Sequence, residues 1–182
     1  MRGDIVGTAI APVIISGFGK ADEPSKGPDL AIKSIKVSGG VEFLRVLAGY
    51  NVGLTGLNAD ASIGAISVGT DWRSSTVLAG VTEGVDGFAG TDDDAKIAGI
   101  RDNGTIFSQI ASLTIKGQAF GSAEAGDTFG VVAELIAKAK IGINSLKLIK
   151  GEGDPEDAFA LAATGPGATG LPSDFFLREI TI

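Results

Sequence analysis

The sequence predicts an all-β fold in which short strands stack as repeated units, and three observations support this prediction. Glycine occurs 28 times in 182 residues while 44% of the chain is hydrophobic, which is typical of short buried strands joined by tight turns. Several segments alternate apolar with small or polar residues at period two, which is strand geometry. These segments recur at a nearly constant step, which indicates a solenoid-like repeat.

The first repeated motif has the form I-x-x-h-x-h, where h is an aliphatic residue. Its copies begin at Ile32, Ile63, Ile110 and Ile143, with a degenerate copy at Ile97. The step from the first copy to the second is nearly the same as the step from the third to the fourth. The interval between the second and third copies is clearly longer, which an insertion after Gly80 explains.

A second motif keeps the same step as the first. The segments Val46–Gly49 and Val77–Gly80 both read V-L-A-G, and the distance between them along the chain equals that between Ile32 and Ile63. Each unit therefore has room for at least two strands, with glycines at the corners. Four motif positions are expected to be buried and to stack on one continuous sheet face: Ile35, Ile66, Leu113 and Leu146.

The chain divides at about residue 30. Residues 1–30 are expected to form an N-terminal strand pair or cap and a loop, and residues 31–182 the repeat domain. The segment Val131–Lys140 has good helix propensity, but it continues directly into a repeat copy, so strand or strand–turn–strand is favoured. An antiparallel β-sandwich is the alternative architecture.

Charge and composition exclude several functions. The net charge of −7 opposes binding to a phosphate backbone, so a nucleic-acid partner is not expected. The apolar stretch Ile5–Ile15 is too short to span a bilayer, so membrane insertion is not expected either. The chain has no Cys and no His, which removes thiol nucleophiles, disulfides and most zinc sites.

In these segments the chain resembles bacterial secreted and cell-surface repeat proteins of the right-handed parallel β-helix type. The resemblance also includes Gly126–Ala133 and the closing segment Asp174–Ile180. It implies a right-handed parallel β-helix displayed outside the cell or on its surface. It also implies a structural or adhesive role in coating or in contact with surface polysaccharide. It supplies no catalytic residues.

An acidic, glycine-rich stretch follows Gly80 and is the strongest candidate for a metal site. Asp86, Asp92, Asp93 and Asp94 could supply oxygen ligands to Ca²⁺, although their spacing is not that of an EF-hand. The alternative is a solvated acidic loop. A second acidic cluster at Glu152–Asp157 could bind a cation in the same way.

Catalysis is not expected, because the strand segments carry almost no carboxylate apart from Glu134 and Glu179. The runner-up function is a carbohydrate-binding or polysaccharide-degrading β-helix. Exposed Trp72 and Tyr50 side chains could stack on a sugar ring, although both are equally plausible as packing residues.

The C-terminal segment suggests self-association through an open end of the repeat stack. Phe176, Ile180 and Ile182 fall on one face at period two, and no proline or charge run follows to protect the edge. The sequence therefore predicts pairing with a neighbouring subunit, and filaments or arrays if that contact does not close. Coverage of this strand by the chain's own loops is the alternative.

Overall fold

The computed structural model describes residues 1–20, 29–98, 101–122, 124, 126–146, 148, 158–160 and 174–180. Within these residues the fold is all-β and contains no helix. The described residues therefore include no helix that is long and apolar enough to cross a membrane. The strands are β1 (Ile5–Val6), β2 (Val13–Gly17), β3 (Asp29–Val37), β4 (Val41–Glu42), β5 (Leu44–Ala48), β6 (Ala61–Val68), β7 (Trp72–Arg73), β8 (Thr76–Ala79), β9 (Val81–Thr82), β10 (Ala95–Lys96), β11 (Gln109–Ile115), β12 (Ala119–Phe120), β13 (Phe129–Ala133), β14 (Leu135–Ile136), β15 (Ala139–Ile141), β16 (Asn144–Leu146), β17 (Ala158–Ala160) and β18 (Phe175–Glu179).

Three mostly parallel sheets are built from these strands. Sheet I has the order β1-β4-β7-β12, sheet II the order β17-β18-β13-β8-β5-β2, and sheet III the order β16-β15-β11-β6-β3, with β14 also on β11. The chain passes from sheet III to sheet I to sheet II three times, through β3-β4-β5, β6-β7-β8 and β11-β12-β13. We call each such pass a circuit. The parallel pairing of successive circuits rules out the antiparallel β-sandwich alternative.

The first two circuits are offset by the same number of residues in all three sheets. Val41 pairs with Trp72 in sheet I, Val46 with Val77 in sheet II, and Ile32 with Ile63 in sheet III, and the separation along the chain is identical for the three pairs. The step found in the sequence is therefore the length of one circuit.

The I-x-x-h-x-h motif forms the inner face of sheet III. Ile35 pairs with Ile66 and Ile66 with Leu113, and all three side chains are buried. The columns on either side are Ile32-Ile63-Ile110-Ile136 and Val37-Val68-Ile115-Ile141. Because like side chains stack on like, the apolar surface of each circuit is covered by the next one. The prediction for Ile35, Ile66 and Leu113 is confirmed.

The expected fourth copy of the motif was placed wrongly. The residue that stacks on Leu113 is Ala139, not Leu146. The chain turns back after Ile141, so β16 runs antiparallel to β15 and Leu146 faces Ala139 in an outer strand, where it is only partly buried. The in-register copy is Ile136-x-x-Ala139-x-Ile141, inside the segment with helical propensity, which the structure shows as strands.

The predicted insertion after Gly80 is confirmed, and it covers the outer face of sheet II. It consists of the antiparallel pair β9–β10 and the loop between them, residues 83–94. Its apolar side chains pack on outward-facing residues of sheet II in a second hydrophobic cluster: Leu47, Tyr50, Ala59, Leu78, Val81, Ala89, Ile97, Val132 and Ile180. The degenerate motif copy thus contributes Ile97 to this cluster, while residues 99–100 lie outside the described residues.

The backbone of the insertion approaches sheet II so closely at one point that there is no room for a side chain. A Cβ atom on Gly90, which has φ +94°, would lie 2.7 Å from Cβ of Phe176. A Cβ on Gly130 would lie 2.8 Å from the Gly90 nitrogen. Only glycine permits so close an approach, so the insertion is fixed against β13 and β18 at this point.

At the N-terminal end, β1 pairs in parallel with β4, and β2 pairs in parallel with β5. Both strands therefore extend the same sheets as the repeat region, one circuit earlier in the stack.

Candidate functional site

The candidate site is a cavity of about 280 Å³ between the insertion and the outer face of sheet II. Its walls come from the N-terminal segment, the corner between sheets I and II, the insertion and the start of β13. The lining residues are Ala9, Pro12, Phe43, Arg45, Ser74, Thr76, Glu83, Gly87, Phe88, Asp127, Thr128 and Phe129.

Two lining residues occupy the corner where the chain leaves sheet I for sheet II. Phe43 has φ 48° and Ser74 has φ 42°, the left-handed region that residues other than glycine rarely adopt. The corners stack, because the Phe43 amide donates to the Arg73 carbonyl and the Ser74 amide donates to the Phe120 carbonyl. Adopting this conformation costs about 1–2 kcal/mol per residue, and such strain concentrates at functional sites.

Three phenylalanine rings contribute the apolar part of the cavity lining. Phe43 comes from the corner, Phe129 from the start of β13, and Phe88 from the insertion. Phe88 is 36% exposed, and its backbone amide donates to Asp86 Oδ1 at 2.8 Å. The cavity therefore offers aromatic surface from both the sheet scaffold and the loop that covers it.

The polar part of the lining is organised around an ion pair. Arg45 lies on β5 and faces outward between the inward side chains of Leu44 and Val46, and its Nη2 lies 2.6 Å from Oε2 of Glu83. Burial raises the pKa of Glu83, and the neighbouring Arg45 guanidinium opposes this rise without cancelling it. The pair joins the first circuit to the insertion, and both residues line the cavity.

Two buried polar atoms of the lining lack a partner. Arg45 Nε and Thr128 Oγ1 are inaccessible to solvent and make no hydrogen bond to any described residue. Most buried polar groups are hydrogen-bonded, so these two atoms are exceptions within the lining. In contrast, both Asp127 oxygens accept from the Ser122 hydroxyl, at 3.0 and 2.8 Å.

The carboxylates predicted to bind Ca²⁺ lie in one loop but form hydrogen bonds and ion pairs with different groups. Asp86 accepts from the Phe88 amide, and Asp92, which is fully exposed, pairs with Arg178 at 2.7 Å. Asp93 Oδ2 accepts from the Val85 and Asp86 amides, and its Oδ1 accepts from the Thr91 hydroxyl at 2.6 Å.

These hydrogen bonds organise the loop from within. The Thr91 hydroxyl, followed by the Val85 amide, lowers the pKa of Asp93. Among the described residues no group of three or more carboxylates is arranged to hold a metal ion. Calcium binding by this loop stays a prediction, and Glu152–Asp157 lies outside the described residues.

Asp94 differs from its neighbours in being buried, with 9% of its surface exposed. Its Oδ2 accepts from the Gly90 amide at 2.6 Å, and its Oδ1 has no hydrogen-bond partner among the described residues. Burial raises the pKa of Asp94 to about 7, although the Gly90 amide opposes the shift. The carboxyl group therefore titrates near neutral pH within the insertion.

Trp72 and Tyr50 do not form a sugar-stacking surface. Trp72 is fully buried, meets Phe175 edge to face at a centroid distance of 6.5 Å, and donates from Nε1 to the Ser75 carbonyl. Tyr50 is also buried, and its hydroxyl donates to the Val81 carbonyl at 2.7 Å. Both are packing residues, which is the alternative that the sequence left open for these two positions.

Glu134 and Glu179 lie on neighbouring circuits, but both side chains are buried at 1% exposure. Glu134 accepts from the Ser108 amide and pairs with Lys96 Nζ at 2.9 Å. Glu179 accepts from the Ile136 amide. Both carboxylates therefore accept hydrogen bonds from backbone amides, and Glu134 also neutralises Lys96. Neither of them lines the cavity.

The C-terminal assembly residues lie within the chain's own packing. β18 pairs with β13 on one side and antiparallel with β17 on the other, so its second edge is not open. Phe176 is partly buried beside Gly90, and Ile180, 4% exposed, belongs to the cluster beneath the insertion. Ile182 lies outside the described residues.

The cavity residues were not predicted as a site from the sequence. One signal was available: Arg45 interrupts the apolar run of Leu44–Ala48 at an outward position, and Thr76 stands one circuit later in the same column. Comparisons of the chain with protein-family models, with curated proteins and with solved structures find no match.

Proposed function

We propose that this chain is an extracellular structural and adhesive module of the right-handed parallel β-helix type, with a contact site on its insertion. The observation that carries the proposal is the repeated circuit, in which the chain passes through the three sheets in the same order and with a common offset. Such stacking yields a rigid scaffold whose insertions can vary without disturbing the core.

The second hydrophobic cluster supports separate roles for the stacked circuits and for the insertion. The insertion rests on sheet II through its own apolar side chains. The inner ladder, meaning the stacked inward-facing side chains of the circuits, is therefore independent of it. The insertion also encloses the cavity with Glu83 and Phe88. A scaffold that holds a shaped loop in place is suited to contact with a surface ligand.

The polysaccharide-degrading alternative has less support. Catalysis of that kind needs two carboxylates, or a carboxylate and a base, that reach the substrate. Glu134 and Glu179 are buried, and Asp127 in the cavity is held by Ser122. We therefore favour binding without turnover.

Self-association remains part of the proposal. It is assigned to the end of the stack formed by β3, because β18 at the other end is paired on both sides. In the strand order of the described residues, sheet III ends at β3, a nine-residue strand. The exposed Lys33 and Lys36 on this strand oppose edge pairing. We therefore expect association to be weak and to strengthen with salt, which screens the lysines.

Retention of coated beads on polysaccharide films tests the adhesive role. Beads carrying the chain should stay on at least one of chitin, cellulose, mannan and pectin films under flow. Beads carrying a variant with residues 84–93 replaced by Gly-Gly should wash off. Retention no greater than that of albumin-coated beads on all four films would contradict the proposal, and release of reducing ends would favour the degrading alternative.

A further inference from the structure

We propose that the outward face of sheet III binds a linear polyuronate, a polysaccharide that carries one carboxylate on each sugar unit. This face is separate from the insertion, which rests on sheet II. The inference rests on the adhesive function proposed above, and it assigns a second contact surface and the chemical class of its ligand.

Sheet III differs in charge from the rest of the protein. The chain has 22 acidic and 15 basic residues, which gives a net charge of −7. Within the described part of the chain, the only acidic residue on the strands of sheet III is Asp29, which is 2% exposed. Exposed lysines lie on these strands or directly beside them: Lys33, Lys36, Lys116, Lys138 and Lys140. This basic face attracts anions that the rest of the surface repels.

The charge of these lysines is available to a ligand. None of them forms an ion pair with a carboxylate of the described residues. On the other two sheets, in contrast, three arginines are each paired with a carboxylate: Arg45 with Glu83, Arg73 with Asp71, and Arg178 with Asp92. The unpaired positive charge on the sheets is therefore concentrated on sheet III.

One column of side chains crosses the basic face from strand to strand. Lys36 pairs with Ser67, and Ser67 pairs with Thr114. Thr114 pairs in turn with Lys140. The residues on either side of each column member belong to the core or pack against it, so the column itself points outward. Because neighbouring strands lie about 4.8 Å apart, Lys36 and Lys140 are separated by about 14 Å along the stack.

A linear polyuronate fits this column in length and in chemistry. One unit of an extended pyranose chain is about as long as one strand spacing, so four units reach from Lys36 to Lys140. The two ammonium groups form charge-assisted hydrogen bonds with carboxylates at the ends of this stretch. Between them the hydroxyls of Ser67 and Thr114 meet the sugar hydroxyls, and both kinds of group donate and accept hydrogen bonds.

Other polyanions fit the face less well. Phosphates along one nucleic-acid strand follow one another at about 3.4 Å, and so dense a charge is repelled by an acidic protein. An anionic membrane is bound by apolar side chains together with basic ones. Here the positions between Lys36 and Lys140 carry hydroxyls. Sparse charge and intervening hydroxyls favour an acidic polysaccharide.

Fluorescence anisotropy of labelled oligosaccharides with the full chain tests the proposal. The probe is hexamannuronate, and its neutral comparison is mannohexaose with the same linkage, which lacks only the carboxylates. Hexamannuronate should bind saturably and more weakly as salt rises, because salt screens exposed charges. Mannohexaose should not bind. Dimannuronate, too short to reach from Lys36 to Lys140, should bind at least about tenfold more weakly than the hexamer.

Matched variants connect the binding to the column. Lys36→Gln combined with Lys140→Gln removes both charged ends and should weaken hexamannuronate binding about tenfold, since two exposed ion pairs are lost. Arg73→Gln combined with Arg178→Gln changes the net charge equally on sheets I and II and should leave the affinity unchanged. The emission of the buried Trp72 should be the same in both variants, which verifies that the fold is intact.

Three results would overturn the assignment. Mannohexaose that binds as tightly as hexamannuronate would show that the carboxylates are not recognised. Equal weakening by K36Q/K140Q and R73Q/R178Q would show that only net charge matters. Tighter binding to a single-stranded hexanucleotide or to phosphatidylglycerol vesicles than to hexamannuronate would assign the face to another class of partner.

The bead experiment separates this inference from the function on which it rests. With highly esterified pectin its four films are nearly uncharged, so retention on them reports on the insertion. Retention without any binding of hexamannuronate would overturn the polyuronate surface while the adhesive role stands. Binding of hexamannuronate by a chain whose beads wash off all four films would support the surface on sheet III and contradict the contact site on the insertion.

Discussion

Truncation of two leucines from sequence-equivalent positions should have unequal effects on stability. Leu113 and Leu146 occupy the same place in two copies of the I-x-x-h-x-h motif. Leu113 is fully buried between Ile66 and Ala139, whereas Leu146 lies in the outermost strand and is only partly buried. We expect Leu113→Ala to lower the free energy of unfolding by about 3–5 kcal/mol and Leu146→Ala by about 1 kcal/mol.

Urea denaturation followed by tryptophan fluorescence measures this difference. Trp72 is the only tryptophan, and its complete burial gives a signal that changes on unfolding. For a chain of this length 1 kcal/mol corresponds to about 2–4 °C in Tm, so L113A should melt at least about 6 °C lower than the wild type. Unchanged m-values would show that the unfolding reaction is the same in both variants. Equal losses for L113A and L146A would refute the assignment of Ala139 to the inner ladder.

Three further predictions concern the insertion and the C-terminal strand. The pKa of Asp94 is about 7 in the folded chain against 3.8 for the free group, so the folded state binds this proton more tightly. The contribution of Asp94 to stability is thus complete below about pH 4 and is lost as the pH rises to about 7. Asp94→Asn should flatten the loss over that interval in urea titrations, and the same slope in D94N would contradict the burial argument. If the loop binds Ca²⁺, EDTA should lower the Tm of the wild type and Ca²⁺ should restore it, whereas D92N/D93N should not respond; identical curves for the wild type would leave a solvated loop. Ile180→Lys should destabilise the fold by about 3–5 kcal/mol, because it places a charge in the cluster beneath the insertion. An I180K chain that melts like the wild type and differs only in sedimentation would instead support assembly through this strand.

The inner ladder was predictable because its signal is local. Period two and a fixed step identify Ile35, Ile66 and Leu113 as stacked core residues, since each strand repeats the same alternation of inward and outward side chains. The residue at the fourth position was predicted wrongly, because Ala139 is small and lies among Lys and Ala residues with helical propensity. Stacking on Leu113 outweighs that propensity, because tertiary contacts decide the state of short segments.

The cavity was not predictable by the same means, because its lining joins residues that are far apart in the sequence. Arg45 and Glu83 meet only because the insertion folds back over β5, and Thr128 joins them from the start of β13. The acidic residues were visible in the sequence as a cluster, but their hydrogen bonds to Val85, Thr91 and Gly90 depend on the conformation of the loop. The pattern of charges predicts a metal site, which stays a prediction, but it does not reveal the hydrogen bonds by which these carboxylates shape the loop.

The offset shared by the three sheets makes the protein extensible in a way that most folds are not. Duplication of residues 49–79 would add one circuit whose columns fall in register with Val46 and Val77 in sheet II and with Ile32 and Ile63 in sheet III. The reversed strands β16 and β17 would keep their neighbours, because the new circuit enters between existing ones, whereas the insertion would move away from Arg45 and lose its ion pair with it. A gene encoding this chain could thus gain or lose whole units by unequal recombination, and the distance between the N-terminal strands and the C-terminal end of the stack would change in steps of about 5 Å.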